Sequence, residues 1–195
     1  MLPRGFSYRK RTGGNVVKYG KYEIKNVKVN DAMSEETTCF SLDLYVDGKK
    51  FAAVSNQGRG GCHRTVAYPP FTQRDIDRVE QEMAQDEFLV EDAKFELFDT
   101  AVTSLMLLKD AEKDVKKFTK SKAAYIDGDN IYTSGYRGGR APDQALFDHV
   151  LAQYPGVTVL NTMSVEAAAI EYLKLQRRQL GLELASNLLP GVPRI

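Results

Sequence analysis

A chain of 195 residues, 43% hydrophobic and 27% charged, has the composition of a globular protein, which excludes wholesale disorder. Its formal charge of +1 excludes a general polycation and an acidic mimic of nucleic acid. No apolar run is long enough to span a bilayer. The two cysteines, Cys39 and Cys62, are too few for a disulfide framework, so a reduced, cytoplasmic setting is expected.

Residues 1–22 hold Arg4, Arg9, Lys10, Arg11, Lys18 and Lys21 with no acid, and residues 1–20 read as a basic N-terminal arm. Phe6 and Tyr8 beside Arg9, Lys10 and Arg11 mix stacking with phosphate-pairing side chains, a composition able to follow a nucleic-acid backbone. A frayed terminus is the plainer alternative. Strand signals begin at Tyr22 and run through Ile24, Val27 and Val29, with a slip at Asn26 that fits a bulge. Cys39 to Val46 alternates, with Phe40, Leu42, Leu44 and Val46 on one face. Asp47-Gly48 then closes a hairpin and Phe51 to Ser55 returns, giving a three-stranded meander.

Thr72 and Asp75 have capping-box spacing and open a first helix, whose acidic run through residues 73–96 reads as a solvated face. A second helix over 94–119 carries Phe95, Phe98, Val102, Leu105, Leu108, Ala111, Val115 and Phe118 as one stripe. A second unit then starts with Ala123 to Ile126, turns through Asp127-Gly128-Asp129-Asn130 and returns over Ile131 to Thr133. A helix runs from Pro142 to about Tyr154, and Pro155-Gly156 stops it. A short strand at Val157 to Leu160 and a final helix capped by Ser164 complete the core, and residues 181–195 form an apolar tail.

The predicted class is α+β, with short antiparallel hairpins, helices on one face, and two similar supersecondary units at about 21–92 and 123–180 joined by the helix 94–119. The likeness is literal. Residues 45–61 and 125–139 both pass from an apolar pair through Asp-Gly to Arg-Gly-Gly, at Arg59-Gly60-Gly61 and Arg137-Gly138-Gly139.

Consecutive glycines can aim backbone N–H groups into an anion nest while arginine supplies a planar donor fork. Arg59, Gly60, Gly61, His63 and Arg64 form one candidate binding loop; Tyr136, Arg137 and Arg140 form the other. Both could equally be chain reversals with solvated arginines, and neither matches a phosphate-loop fingerprint. Cys62 beside His63 and Arg64 could carry a thiolate, with His149 as a base, in an enzyme acting on a phosphorylated or nucleotide-like molecule. No hydrolase signature surrounds it. No metal or cofactor is expected: the cysteines and histidines lack paired zinc spacing, and Asp127-Gly128-Asp129-Asn130 lacks the glutamate that closes a calcium loop, since residue 138 is glycine.

The segment Val54-Ser55-Asn56-Gln57-Gly58-Arg59-Gly60-Gly61, together with Val159-Leu160-Asn161, resembles small uncharacterised proteins of bacteriophages and mobile elements. The resemblance implies a compact accessory protein in a host bacterial cytoplasm that binds host machinery. Inhibitors of defence nucleases, such as anti-CRISPR proteins, are one such class. The expected function is non-enzymatic contact with nucleic acid or a host nucleoprotein complex.

Overall fold

A computed structural model describes residues 17–90, 93 and 95–188. Arg9, Lys10 and Arg11 lie outside the described residues, as does the tail beyond Leu188. The class is α+β, and the chain divides into two compact units, with the boundary between Lys109 and Asp110.

The first unit is built on an antiparallel five-stranded sheet in the order β1-β2-β3-β4-β5: β1 Val17–Tyr19, β2 Tyr22–Val29, β3 Phe40–Val46, β4 Lys49–Asn56 and β5 Arg64–Ala67. The three expected strands are present. Two edge strands add to them: Val17–Tyr19 falls inside the expected arm, and Arg64–Ala67 begins at the last residue of the expected loop. The bulge is where the alternation slips. The β2–β3 register shifts between Lys25 and Lys28, and Asn26 adopts φ +54°. Asp47 and Gly48 both have positive φ, as a tight hairpin turn of this kind requires.

One face of this sheet is the core side. Ile24, Leu44, Phe51, Ala52 and Val54 are buried on it. Helix α1 (Gln73–Met83) buries Ile76, Val79 and Met83, and the single-turn α2 (Glu87–Val90) buries Leu89 and Val90. Asp75 accepts hydrogen bonds from the Thr72 N–H and hydroxyl, both at 2.9 Å, so the predicted cap is in place. Each fully buried Leu, Phe or Val stabilises the unit by about 1.5–3 kcal/mol relative to exposure. Helix α3 (Leu97–Thr119) buries Phe98, Val102, Leu105, Leu108, Ala111 and Val115, in keeping with its apolar stripe. Phe118 is half-buried, and Phe95 departs from the stripe altogether. It precedes the helix and is 82% exposed.

The second unit has a three-stranded antiparallel sheet in the order β7-β6-β8, from β6 Ala123–Asp127, β7 Asn130–Ser134 and β8 Thr158–Val159. Ala123, Tyr125, Val157 and Val159 pack with Leu146 and Val150 of α4 (Gln144–Gln153) into one cluster. Ser164 caps α5 (Val165–Leu188) by accepting from the Ala167 N–H at 3.1 Å. This helix continues through Gly181, so part of the predicted tail is helical.

The two Asp-Gly hairpins differ by one position. In the first, Val46 pairs with Lys49 and the turn is Asp47-Gly48; in the second, Asp127 pairs with Asn130 and the turn is Gly128-Asp129. The segments after the two hairpins differ as well. The first loop returns to the sheet as β5, whereas the second leads directly into α4.

Candidate nucleic-acid interface

The loop between β4 and β5 is tied down from within. The Asn56 Oδ1 accepts from the Gly58 N–H and the Thr37 hydroxyl, both at 2.8 Å, and the Asn56 amide donates to the Gly61 carbonyl. The Gly58 carbonyl accepts from the N–H groups of Glu35, Glu36 and Thr37. Gly58 has φ +83°, and a Cβ there would overlap the Met33 carbonyl oxygen. The N–H groups of Gly58 and Gly60 are both taken, the latter by the Thr37 hydroxyl, and the Glu36 carboxylate lies against Gly60. These N–H groups are therefore not free to form an open anion nest.

The guanidinium of the same loop is available. Arg59 is exposed and, among the described residues, pairs with no carboxylate. In the second loop Arg137 is likewise exposed and unpaired. Arg140 is committed: it forms a 2.5 Å ion pair with Asp143 and lies over the Tyr136 ring. Tyr136 donates to Asp143 at 2.6 Å and packs against the unit's core cluster. Asp143 also accepts from the Leu146 N–H at the start of α4. The Tyr136 hydroxyl, then the Leu146 N–H, hold the Asp143 carboxyl below its ordinary value. This residue fixes a loop and caps a helix together.

Cys62 and His63 point to a different chemistry from a thiolate nucleophile. The Cys62 thiol donates to Glu96 Oε1 at 3.2 Å, and that carboxylate pushes the thiol above its ordinary pKa. The His63 N–H donates to Asp99 Oδ2 at 2.6 Å, and its ring packs edge-on to Phe40 with centroids 4.8 Å apart. Only 10% of the His63 side chain is exposed, so it is not a surface contact. Burial lowers its pKa, opposed by Asp99 and Glu96. Its Nδ1 has no hydrogen-bond partner and sits 3.5 Å from Asp99 Oδ1. Ligand atoms of Cys62, Glu96 and Asp99 lie within 4.8 Å of one another. His149 is exposed on α4, in the second unit.

The open face of the five-stranded sheet emerges only from the strand pairing. Register places Lys18, Glu23, Lys25, Lys28, Ser41, Asp43, Tyr45, Lys50, Ser55, Arg64 and Val66 on the side away from the core. Five are basic and two acidic. Both acids are occupied: Glu23 pairs with Lys25 at 2.9 Å, and Asp43 accepts from Asn26, Tyr68 and Lys50. Lys25 lies 4.0 Å from the Tyr45 ring centroid and Lys50 lies 4.1 Å from that of Tyr68. Lys18, Lys28 and Arg64 are exposed and unpaired among the described residues. β1 and β5 are four strand spacings apart, so these cations spread over about 19 Å. Period-two alternation in Phe40–Val46, which turns Ser41, Asp43 and Tyr45 outward, is the part of this face that the sequence signals.

In the second unit, Tyr125 stacks with Tyr132 and Tyr154, at centroid distances of 5.8 and 5.5 Å. Tyr132 and Tyr154 are partly exposed, an aromatic surface that no motif in the sequence marks. No helix of the described residues is long and apolar enough to cross a membrane. No family model, curated protein or solved structure matches the chain.

Proposed function

We propose that the chain is a nucleic-acid-binding protein whose first unit holds a single strand along the open face of its five-stranded sheet. The observation that carries this reading is the set of unpaired outward cations Lys18, Lys28 and Arg64 on a face whose acids, Glu23 and Asp43, are already paired. Phosphates meeting that face find free positive charge and no free carboxylate. An open sheet face also suits an unpaired strand better than a duplex, whose grooves admit a helix or ribbon. Tyr45 and Tyr68, each beneath a lysine, offer rings on which bases can stack once the lysine turns to a phosphate. Arg59 and Arg137 extend the same chemistry onto loops, one in each unit.

The contacts are to backbone and ring faces, so recognition is largely independent of sequence. A host nucleoprotein complex as the setting, with inhibition of a defence nuclease as one outcome, belongs to the same proposal and rests on the resemblance read from residues 54–61 and 159–161 alone. Fluorescence anisotropy with a labelled oligonucleotide tests the reading. The variant combining Lys18→Ala, Lys28→Ala and Arg64→Ala should bind far more weakly than the wild-type chain. Unchanged affinity in a folded triple variant, or no binding by the wild type at low salt, would end it.

A further inference from the structure

We propose that Cys62, His63, Glu96 and Asp99 form a zinc site at the start of α3. Three of these residues bring ligand atoms within 4.8 Å of one another. Tetrahedral zinc with bonds of about 2.0–2.3 Å separates its ligands by about 3.3–3.8 Å, so small side-chain rotations close the cluster. The fourth ligand is indicated independently. His63 is nine-tenths buried, and its Nδ1, without a hydrogen-bond partner, faces Asp99 from 3.5 Å. A buried ring nitrogen left unpartnered carries an uncompensated desolvation cost, and a metal ion would satisfy it.

The surrounding hydrogen bonds suit this assignment. The His63 backbone N–H binds Asp99 Oδ2, which orients the carboxylate and leaves Oδ1 toward the imidazole. The Cys62 thiol donates its proton to Glu96 across 3.2 Å, and a bound ion would take that proton's place. Binding exchanges one for the other: the S–H bond breaks, a zinc–sulfur bond forms, and a proton leaves to solvent. Thiolate, imidazole and carboxylate together favour zinc over magnesium or calcium, which prefer all-oxygen shells. Three anionic ligands around a divalent ion leave one net negative charge. The first turn of α3, where Asp99 sits, stabilises that charge. No ligand belongs to the open sheet face, so the site stands or falls separately from nucleic-acid binding.

Cobalt(II) is the spectroscopic probe. The full chain, stripped by chelator, should bind one equivalent of cobalt with a thiolate-to-cobalt charge-transfer band and tetrahedral d–d bands, both removed by added zinc. Cys62→Ser should abolish the charge-transfer band, while Cys39→Ser should retain it. Glu96→Gln, Asp99→Asn and His63→Gln should each weaken cobalt affinity by at least about tenfold, since even the loss of a group that only orients a ligand costs about 10–100-fold. Thermal melts of the metal-free variants report folding, and exposed Cys62 and Glu96 serve as the decisive pair. Absence of the band in the wild type overturns the site. So does a band that survives Cys62→Ser, or wild-type affinity in folded Glu96→Gln.

Discussion

Asn26 donates its side-chain amide to Asp43 at 2.7 Å across the β2–β3 pair, from a backbone held at φ +54°. The bulge and the buried carboxylate therefore depend on each other. Asn26→Ala should lower stability by about 2 kcal/mol, combining a lost bond to a charged group with a strained left-handed alanine. Asn26→Gly relieves the backbone and should cost about 1 kcal/mol. Urea midpoints at unchanged m distinguish the two.

Asp43 should also set part of the acid limit. Burial alone would raise its pKa, but the bonds from Asn26, Tyr68 and Lys50 outweigh it and hold the carboxyl below the ordinary range. A depressed carboxylate contributes stability that is complete above its unfolded pKa of about 4 and lost as pH falls through the folded value. The wild-type chain should thus lose stability on acidification below about pH 4, and Asp43→Asn should show a shallower decline over that window. Denaturant midpoints at several pH values give the comparison.

Gly58 and Gly61 have similar φ, +83° and +82°, in different surroundings. Gly61→Ala meets open space and should cost about 1–2 kcal/mol for the backbone alone. Gly58→Ala must also displace the Met33 carbonyl, so its loss should be clearly larger, about 3 kcal/mol or more. Equal midpoints for the two would show that the segment before β3 yields freely.

Salt should report how many phosphates the open face engages. Contacts to Lys18, Lys28 and Arg64 predict a log–log slope of about −2 for a single strand, from about −0.7 per phosphate. Replacing Lys28 by alanine should make the slope shallower by about 0.7. A slope near zero would point to an apolar interface instead.

Arg59→Ala and Arg137→Ala together should weaken nucleic-acid binding and leave the melting temperature unchanged, because both side chains are exposed and unpaired among the described residues. Asp143→Ala should act in the opposite way. It removes the α4 cap and the partners of Tyr136 and Arg140, so melting temperature falls while affinity is retained.

Long periodic segments are legible in the sequence. The α3 stripe, the Thr72–Asp75 cap and the Asn26 bulge follow from spacing alone. β1 and β5 are not, because Val17–Tyr19 and Arg64–Ala67 are short, half-polar edges whose strand character comes from the neighbour they pair with. The loop arginines can be read as outward. The disposition of the glycine N–H groups cannot, since Thr37 and Glu36 arrive from a separate segment. Glu96 and Asp99 lie more than thirty positions beyond Cys62 and His63, and only the packing of α3 brings them together. Strand pairing likewise creates the basic face from residues that are scattered in the chain.

The one-residue offset between the two Asp-Gly hairpins bears on how their textual likeness can be used. Moving a two-residue turn by one position moves the strand pairing by two, so Tyr45 lies opposite Lys50 while Tyr125 lies opposite Tyr132. Tyr45 belongs to a solvated surface, while its counterpart Tyr125 joins a hydrophobic cluster. A substitution tolerated in one copy therefore carries no licence in the other, and a graft of one bend into the other would slide the returning strand by two residues and change its cross-strand partners. What the copies share is a recipe for reversing the chain, written in the same letters and read in different frames.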